Sequence, residues 1–154
     1  MLNVTRESKG SVLSVRLSGS IEENVNFELL IGPPPPELEV HCKDVPRINS
    51  LGVKAWIKYF QECRTKNTQL KFVECSIAIV EQINLISNFS SGGIVESVYV
   101  PFVCTKCGNE LLGLYQTEEI KRLQFDLPQS KCTQCGSPAE FDDVPDEYFR
   151  FLMK

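Results

Sequence analysis

The sequence predicts an α/β (α+β) fold, a small and partly parallel mixed sheet with helices on one face, followed by a smaller subdomain of different construction. Three observations point there. Over the first hundred residues, segments of period-two alternation take turns with segments of helical period. Strands and helices alternating at that spacing build a sheet with helices laid against it. Beyond Pro101 the texture changes, and paired cysteines, glycines and short runs replace the long periodic elements.

Residues 2–7 and 11–18 read as a hairpin turning at Lys9-Gly10. In its second strand Leu13, Val15 and Leu17 alternate with Ser14, Arg16 and Ser18, as expected when one face is buried. The acidic, mixed segment that follows holds a short helix around residues 26–31. Pro33 to Pro36 then end regular structure, because a proline run lacks donors and favours an extended conformation; they read as a stiff connecting loop. The strand 37–44 sets Leu38, Val40 and Cys42 against Glu39, His41 and Lys43, which makes His41 a surface residue.

Residues 50–67 change to the helical period. Val53, Trp56, Ile57, Phe60 and Cys63 fall on one stripe, opposite Lys54, Lys58, Gln61 and Thr65. Residues 70–75 read as a buried strand and 76–89 as a second helix, with Ile79, Ile83 and Ile86 on its apolar side and Gly92-Gly93 as its breaker. One long last strand is expected over 94–103, where Ile94, Val98, Val100 and Phe102 share a parity and Glu96 is the exception. The domain boundary is placed at about residue 101, giving segments 1–100 and 101–154. In the tail, Pro145 suits a first helical turn and Asp146 and Glu147 its positive end, while Tyr148, Phe149, Leu152 and Met153 form an apolar stripe able to pack on the body.

Composition bounds the function. The 154 residues are 42% hydrophobic and 23% charged, ordinary values for a packed globular chain. Twenty acids against sixteen bases give a formal charge of -4, the wrong sign for a protein whose main partner is a polyanion. The first ten residues carry Arg6, Glu7 and Lys9 and no apolar run, so no secretory signal is read there. Apolar stretches such as 98–104 are far shorter than the roughly 18 residues of a spanning helix. A cytoplasmic protein without membrane association is expected.

The strongest chemical signal is a repeated device. Cys104-Thr105-Lys106-Cys107-Gly108 and Cys132-Thr133-Gln134-Cys135-Gly136 are two copies separated by 24 residues. Two cysteines three apart on a tight turn bring both sulfurs to one ion, and the glycine after the second lets the turn close. Two such turns supply Cys104, Cys107, Cys132 and Cys135, the closed shell of a structural Zn2+ site, one ion per chain; iron in the same ligand set is the alternative. A redox Cys-x-x-Cys needs only one pair. With every position filled by sulfur there is no place for a water, so metal-assisted hydrolysis is not supported. The remaining cysteines, Cys42, Cys63 and Cys75, fall on apolar faces as core thiols do. The acids Glu140, Asp142, Asp143, Asp146 and Glu147 have no base among them and read as a solvated face.

The segment Ser18-Gly19-Ser20-Ile21-Glu22, the strand 38–44, and Ile48-Asn49-Ser50-Leu51-Gly52 leading into an amphipathic helix resemble a STAS domain, the domain shared by sulfate transporters and anti-sigma-factor antagonists. The resemblance covers about residues 1–100, and its order of strands and helices matches as well. It implies a small mixed sheet with helices on one face, in a bacterial regulator that binds a protein partner, often a kinase-like anti-sigma factor. It also implies that Ser50, flanked by Asn49 and Gly52, occupies the family's phosphorylation point. Two departures stand out: Asn49 replaces the usual acidic residue, and Leu51 replaces a second serine. Ser50 or Asn49 as a helix cap is the plainer reading.

The expected function is therefore a non-enzymatic regulatory adaptor carrying a zinc ribbon. The alternative is a zinc-ribbon protein that binds nucleic acid or works in transcription. Six bases and nine acids in residues 102–154 speak against that alternative, and four thiolates around one Zn2+ add about -2 more. For an enzyme, the single histidine forms no Ser-His or Cys-His arrangement. The sequence leaves the partner's identity and the oligomeric state open.

Overall fold

The computed structural model describes residues 2–153; Met1 and Lys154, the ends of the two expected segments, lie outside the described residues. The fold is mixed α/β. Strands β1 (Asn3–Lys9) and β2 (Val12–Ser18) form the expected antiparallel hairpin. Helix α1 (Phe27–Ile31) leads to β3 (Glu37–Asp44), α2 (Ser50–Thr65) to β4 (Gln69–Val73), and α3 (Ile77–Leu85) to the short β5 (Ile94–Val95). Strands β2, β3, β4 and β5 are parallel neighbours, giving a five-stranded sheet in chain order. Parallel neighbours need a crossover, which the helices provide.

Register explains the core. Leu13, Leu38 and Leu70 lie side by side across three strands, and Val15, Val40, Phe72 and Val95 form the next row. Phe27 and Ile31 of α1 and Trp56, Phe60 and Cys63 of α2 are buried with these rows in one hydrophobic core. The α2 stripe includes Tyr59, whose hydroxyl donates to the Gly32 carbonyl at 2.9 Å, while Val53 and Ile57 are only half-buried. Trp56 is the centre. It stacks on Phe89 and Phe72 with ring centroids 4.8 and 5.6 Å away, and its indole N–H donates to the Phe89 carbonyl at 3.0 Å.

The other face of the sheet is polar. His41 is not the free surface residue its alternation suggests: its side chain is only 16% exposed, with Nε2 at 2.7 Å from Glu39 and Nδ1 at 3.4 Å from Glu74. Glu74 also pairs with Arg16 at 3.7 Å. Glu39 is two residues away on the same face, and Glu74 sits just past the end of the neighbouring strand in the left-handed region (φ 53°).

Two expectations change at the end of the first segment. The second helix stops at Leu85, not Phe89, because Ile86 turns extended and the following turn carries Phe89 beneath Trp56. The long strand expected over 94–103 is two strands, β5 and β6 (Ser97–Cys104), which belong to different sheets. Glu96, the exception in the pattern, is the switch. Its N–H still bonds Phe72 in the first sheet, and its carbonyl accepts from Thr117 in the second part.

The second sheet is antiparallel, in the order β7 (Glu110–Gln116), β6, β9 (Pro138–Phe141), β8 (Ser130–Lys131). Residue 101 lies inside β6, and one buried core contains both Val40 and Phe72 and also Val100, Phe102, Ile120 and Phe149. Helix α4 (Thr117–Arg122) follows β7 and buries Ile120. The tail packs back as α5 (Pro145–Tyr148) and a single 3-10 turn. Asn84 of α3 fastens it, donating to the Tyr148 carbonyl at 2.8 Å and accepting from the Phe151 N–H at 3.0 Å. Among the described residues no helix is long and apolar enough to cross a membrane.

Candidate metal centre

Each cysteine pair sits at the tip of a hairpin. The β6–β7 turn holds Cys104 and Cys107, and the β8–β9 turn holds Cys132 and Cys135. Antiparallel pairing of β6 with β9, which sets Cys104 opposite Ala139, brings the two tips side by side. The first tip is also clasped to β9, since both the N–H and the hydroxyl of Thr105 donate to the Pro138 carbonyl.

The two turns repeat one geometry. The Gly108 N–H bonds the Cys104 carbonyl at 3.2 Å and the Gly136 N–H bonds the Cys132 carbonyl at 3.0 Å. Both glycines are left-handed, at φ 76° and 77°, a conformation a side chain would strain. Each turn aims backbone donors at its first sulfur: Lys106 and Cys107 N–H at Cys104, and Gln134 N–H at Cys132, all at 3.4 Å. The Asn109 amide adds a contact to Cys132 Sγ at 3.8 Å.

All four sulfurs lie within 4.8 Å of one another. Across the two turns, Cys104 Sγ is 3.4 Å from Cys135 Sγ, and Cys107 Sγ is 3.7 Å from Cys132 Sγ. A tetrahedral shell with metal–sulfur bonds of about 2.3 Å has sulfur–sulfur edges of about 3.8 Å, so these four side chains fit such a shell. All seven cysteines of the chain are free thiols, so no disulfide competes for these sulfurs. The Cys135 N–H, ahead of that of Gln134, draws the Cys132 thiol down to about 6. The Asn109 N–H lowers Cys107 too, but desolvation and the three neighbouring sulfurs outweigh it and push that thiol up to about 12. Four thiolates this close repel one another, and a cation among them is what lets all four ionise together. The cluster can therefore hold a metal ion, with Cys104 and Cys132 buried and Cys107 and Cys135 at the surface.

The other expected site residues lie at the start of α2. Asn49 is the helix cap, its side-chain oxygen accepting from the Gly52 N–H at 2.8 Å, and Ser50 is the exposed first helical residue. Gly52 is buried because the helix start presses on Ile21: a Cβ there would meet the Ile21 carbonyl oxygen at 2.2 Å. The Ile21–Ile48 bridge, with the Asn49 N–H donating to the Ile21 carbonyl at 3.1 Å, joins the same two segments. Cys42, Cys63 and Cys75 are buried core thiols, and burial, ahead of the neighbouring Cys75, pushes the Cys42 thiol up. The acids at 140–147 are exposed, and among the described residues the four cysteines are the only cluster able to hold a metal.

Sequence reasoning missed the supporting residues Asn109 and Thr105, which contribute through a side-chain amide and a hydroxyl with no spacing signature. No protein-family model matches the chain, and no curated protein matches it.

Proposed function

We propose that the protein is a non-enzymatic, cytoplasmic bacterial regulator that binds a protein partner through a STAS-like first part, with its second part held by one structural Zn2+. The observation that carries this reading is the meeting of the two short motifs behind the resemblance. The segment 18–22 and the segment 48–52 bond to each other through Ile21, Ile48 and Asn49, and they leave Ser50 and the 51%-exposed Leu51 at the surface. An exposed serine at the first turn of a sixteen-residue helix can be reached by a kinase, and a phosphate there lies near the positive end of the helix. The sulfur shell is complete without water, which suits a zinc ion that fixes structure and leaves no position for chemistry.

Affinity capture from the bacterium that makes the protein, with wild type and Ser50→Asp as baits, tests the reading. The expected result is a kinase-like regulator on wild type whose recovery falls with Ser50→Asp. Equal recovery on both baits, or recovery of nucleic acid in place of a protein partner, overturns it.

A further inference from the structure

Four strands stand at sheet edges in this fold, and three of them are blunted. β1 is exposed and carries Arg6, Glu7 and Lys9, while β5 and β8 are two residues long. Charged side chains and short length are how folds keep open edges from pairing with other chains. β7 is long, and its one charge, Glu110, stands at its very start. It runs seven residues, Glu-Leu-Leu-Gly-Leu-Tyr-Gln, without a lysine or a proline.

Its bonding pattern leaves a free ladder. At one end Thr117 N–H bonds the Glu96 carbonyl, and at the other Cys104 N–H bonds the Asn109 carbonyl, so the odd-numbered residues of β7 face β6. Antiparallel alternation then points the N–H and C=O groups of Glu110, Leu112, Leu114 and Gln116 outward. Among the described residues these groups have no partner in a strand, and only the Gln116 carbonyl is taken up, as the N-cap that opens α4. The side chains of Leu112 and Leu114 are 57% and 45% exposed, and they stand beside Pro101 and Tyr99 of β6 as one apolar strip. A strand with both a free backbone ladder and an apolar strip is built to receive another strand.

We propose that the occupant is β7 of a second copy, antiparallel about a two-fold axis at Gly113. The sequence fits that axis. Residue 112 meets 114 of the partner copy, so leucine faces leucine on both sides of the axis, and residue 110 meets 116, so the Glu110 carboxylate faces the Gln116 amide and no acid faces an acid. In this register every outward-facing residue meets an outward-facing residue, which permits up to about six interchain hydrogen bonds, the Gln116 carbonyls being used by α4. A register moved by two residues sets Glu110 against a leucine and shortens the overlap. The contact is the same patch on both copies, so it closes after two chains, and the antiparallel sheet continues through the interface from one copy into the other.

Sedimentation of the full chain in reducing buffer, over a range of concentrations, tests this. Wild type should sediment as a dimer that dissociates on dilution, and the Leu112 and Leu114 amides should exchange slowly only at concentrations where the dimer forms. Leu112→Lys should weaken association at least about tenfold. Leu114→Pro removes an outward-facing N–H and leaves the β6 ladder intact, so it should do the same while the monomer stays folded. A wild type that is monomeric at its highest soluble concentration overturns the proposal, including the case in which it takes up a foreign extended peptide instead. A dimer that survives both substitutions overturns it as well.

Discussion

Trp56→Ala removes the centre of the first core, and its cost can be worked from the contacts. The ring is fully buried, stacks on Phe72 and Phe89, and meets Phe27 and Phe60 edge-on. Truncating such a residue costs about 3–5 kcal/mol, because the aromatic cage cannot collapse onto a methyl group. For a chain of this length that corresponds to a fall of about 6–20 °C in Tm. Trp56→Phe keeps much of the stacked area but takes the donor from the Phe89 carbonyl, a loss of about 1–3 kcal/mol. Thermal and urea melts followed by far-ultraviolet circular dichroism read both variants without relying on the chain's single tryptophan. The order should be wild type, then Phe, then Ala. An alanine variant melting within about 3 °C of wild type would show that Trp56 does not anchor this core, since a shift that small is about 1 kcal/mol.

Two further predictions follow from single hydrogen-bonded side chains. Asn49→Ala should lose about 0.5–2 kcal/mol in a urea melt, while Ser50→Ala should change stability by less, because Asn49 and not Ser50 caps α2; a larger loss from Ser50→Ala contradicts that assignment. Asn84→Ala should cost about 1–3 kcal/mol and speed amide exchange at Phe151, and unchanged exchange there would mean that the tail is held by its aromatic contacts alone.

The parts of this fold that could be read in the sequence are those where one face is buried and the other is wet. β3 alternates cleanly because its Leu38, Val40 and Cys42 side enters the core while Glu39, His41 and Lys43 do not, and α2 shows a stripe for the same reason. The four-cysteine cluster was legible because the turn geometry constrains both the cysteine spacing and the following glycine. β7 was not legible. Its Leu111 and Tyr115 point inward while Leu112 and Leu114 point outward, so apolar residues occupy both faces and no period appears. α4 has only Ile120 as an apolar anchor, and its position depends on Thr117 bonding back to residues 95 and 96. The split at Glu96 and the carboxylates around His41 are likewise set by partners distant in sequence, which local periodicity does not encode.

Two hairpin tips, brought together by the β6–β9 pairing, set four sulfurs where one metal ion can bind. Metal analysis of the purified full chain, paired with a melt before and after a strong chelator, tests this most directly. The expected result is about one zinc ion per chain, four thiols shielded from modification until the metal is removed, and a clear loss of thermal stability on its removal, which Cys104→Ser reproduces. A chain that is metal-free as purified, takes up no zinc when it is supplied, and melts as wild type does with Cys104 replaced would contradict it.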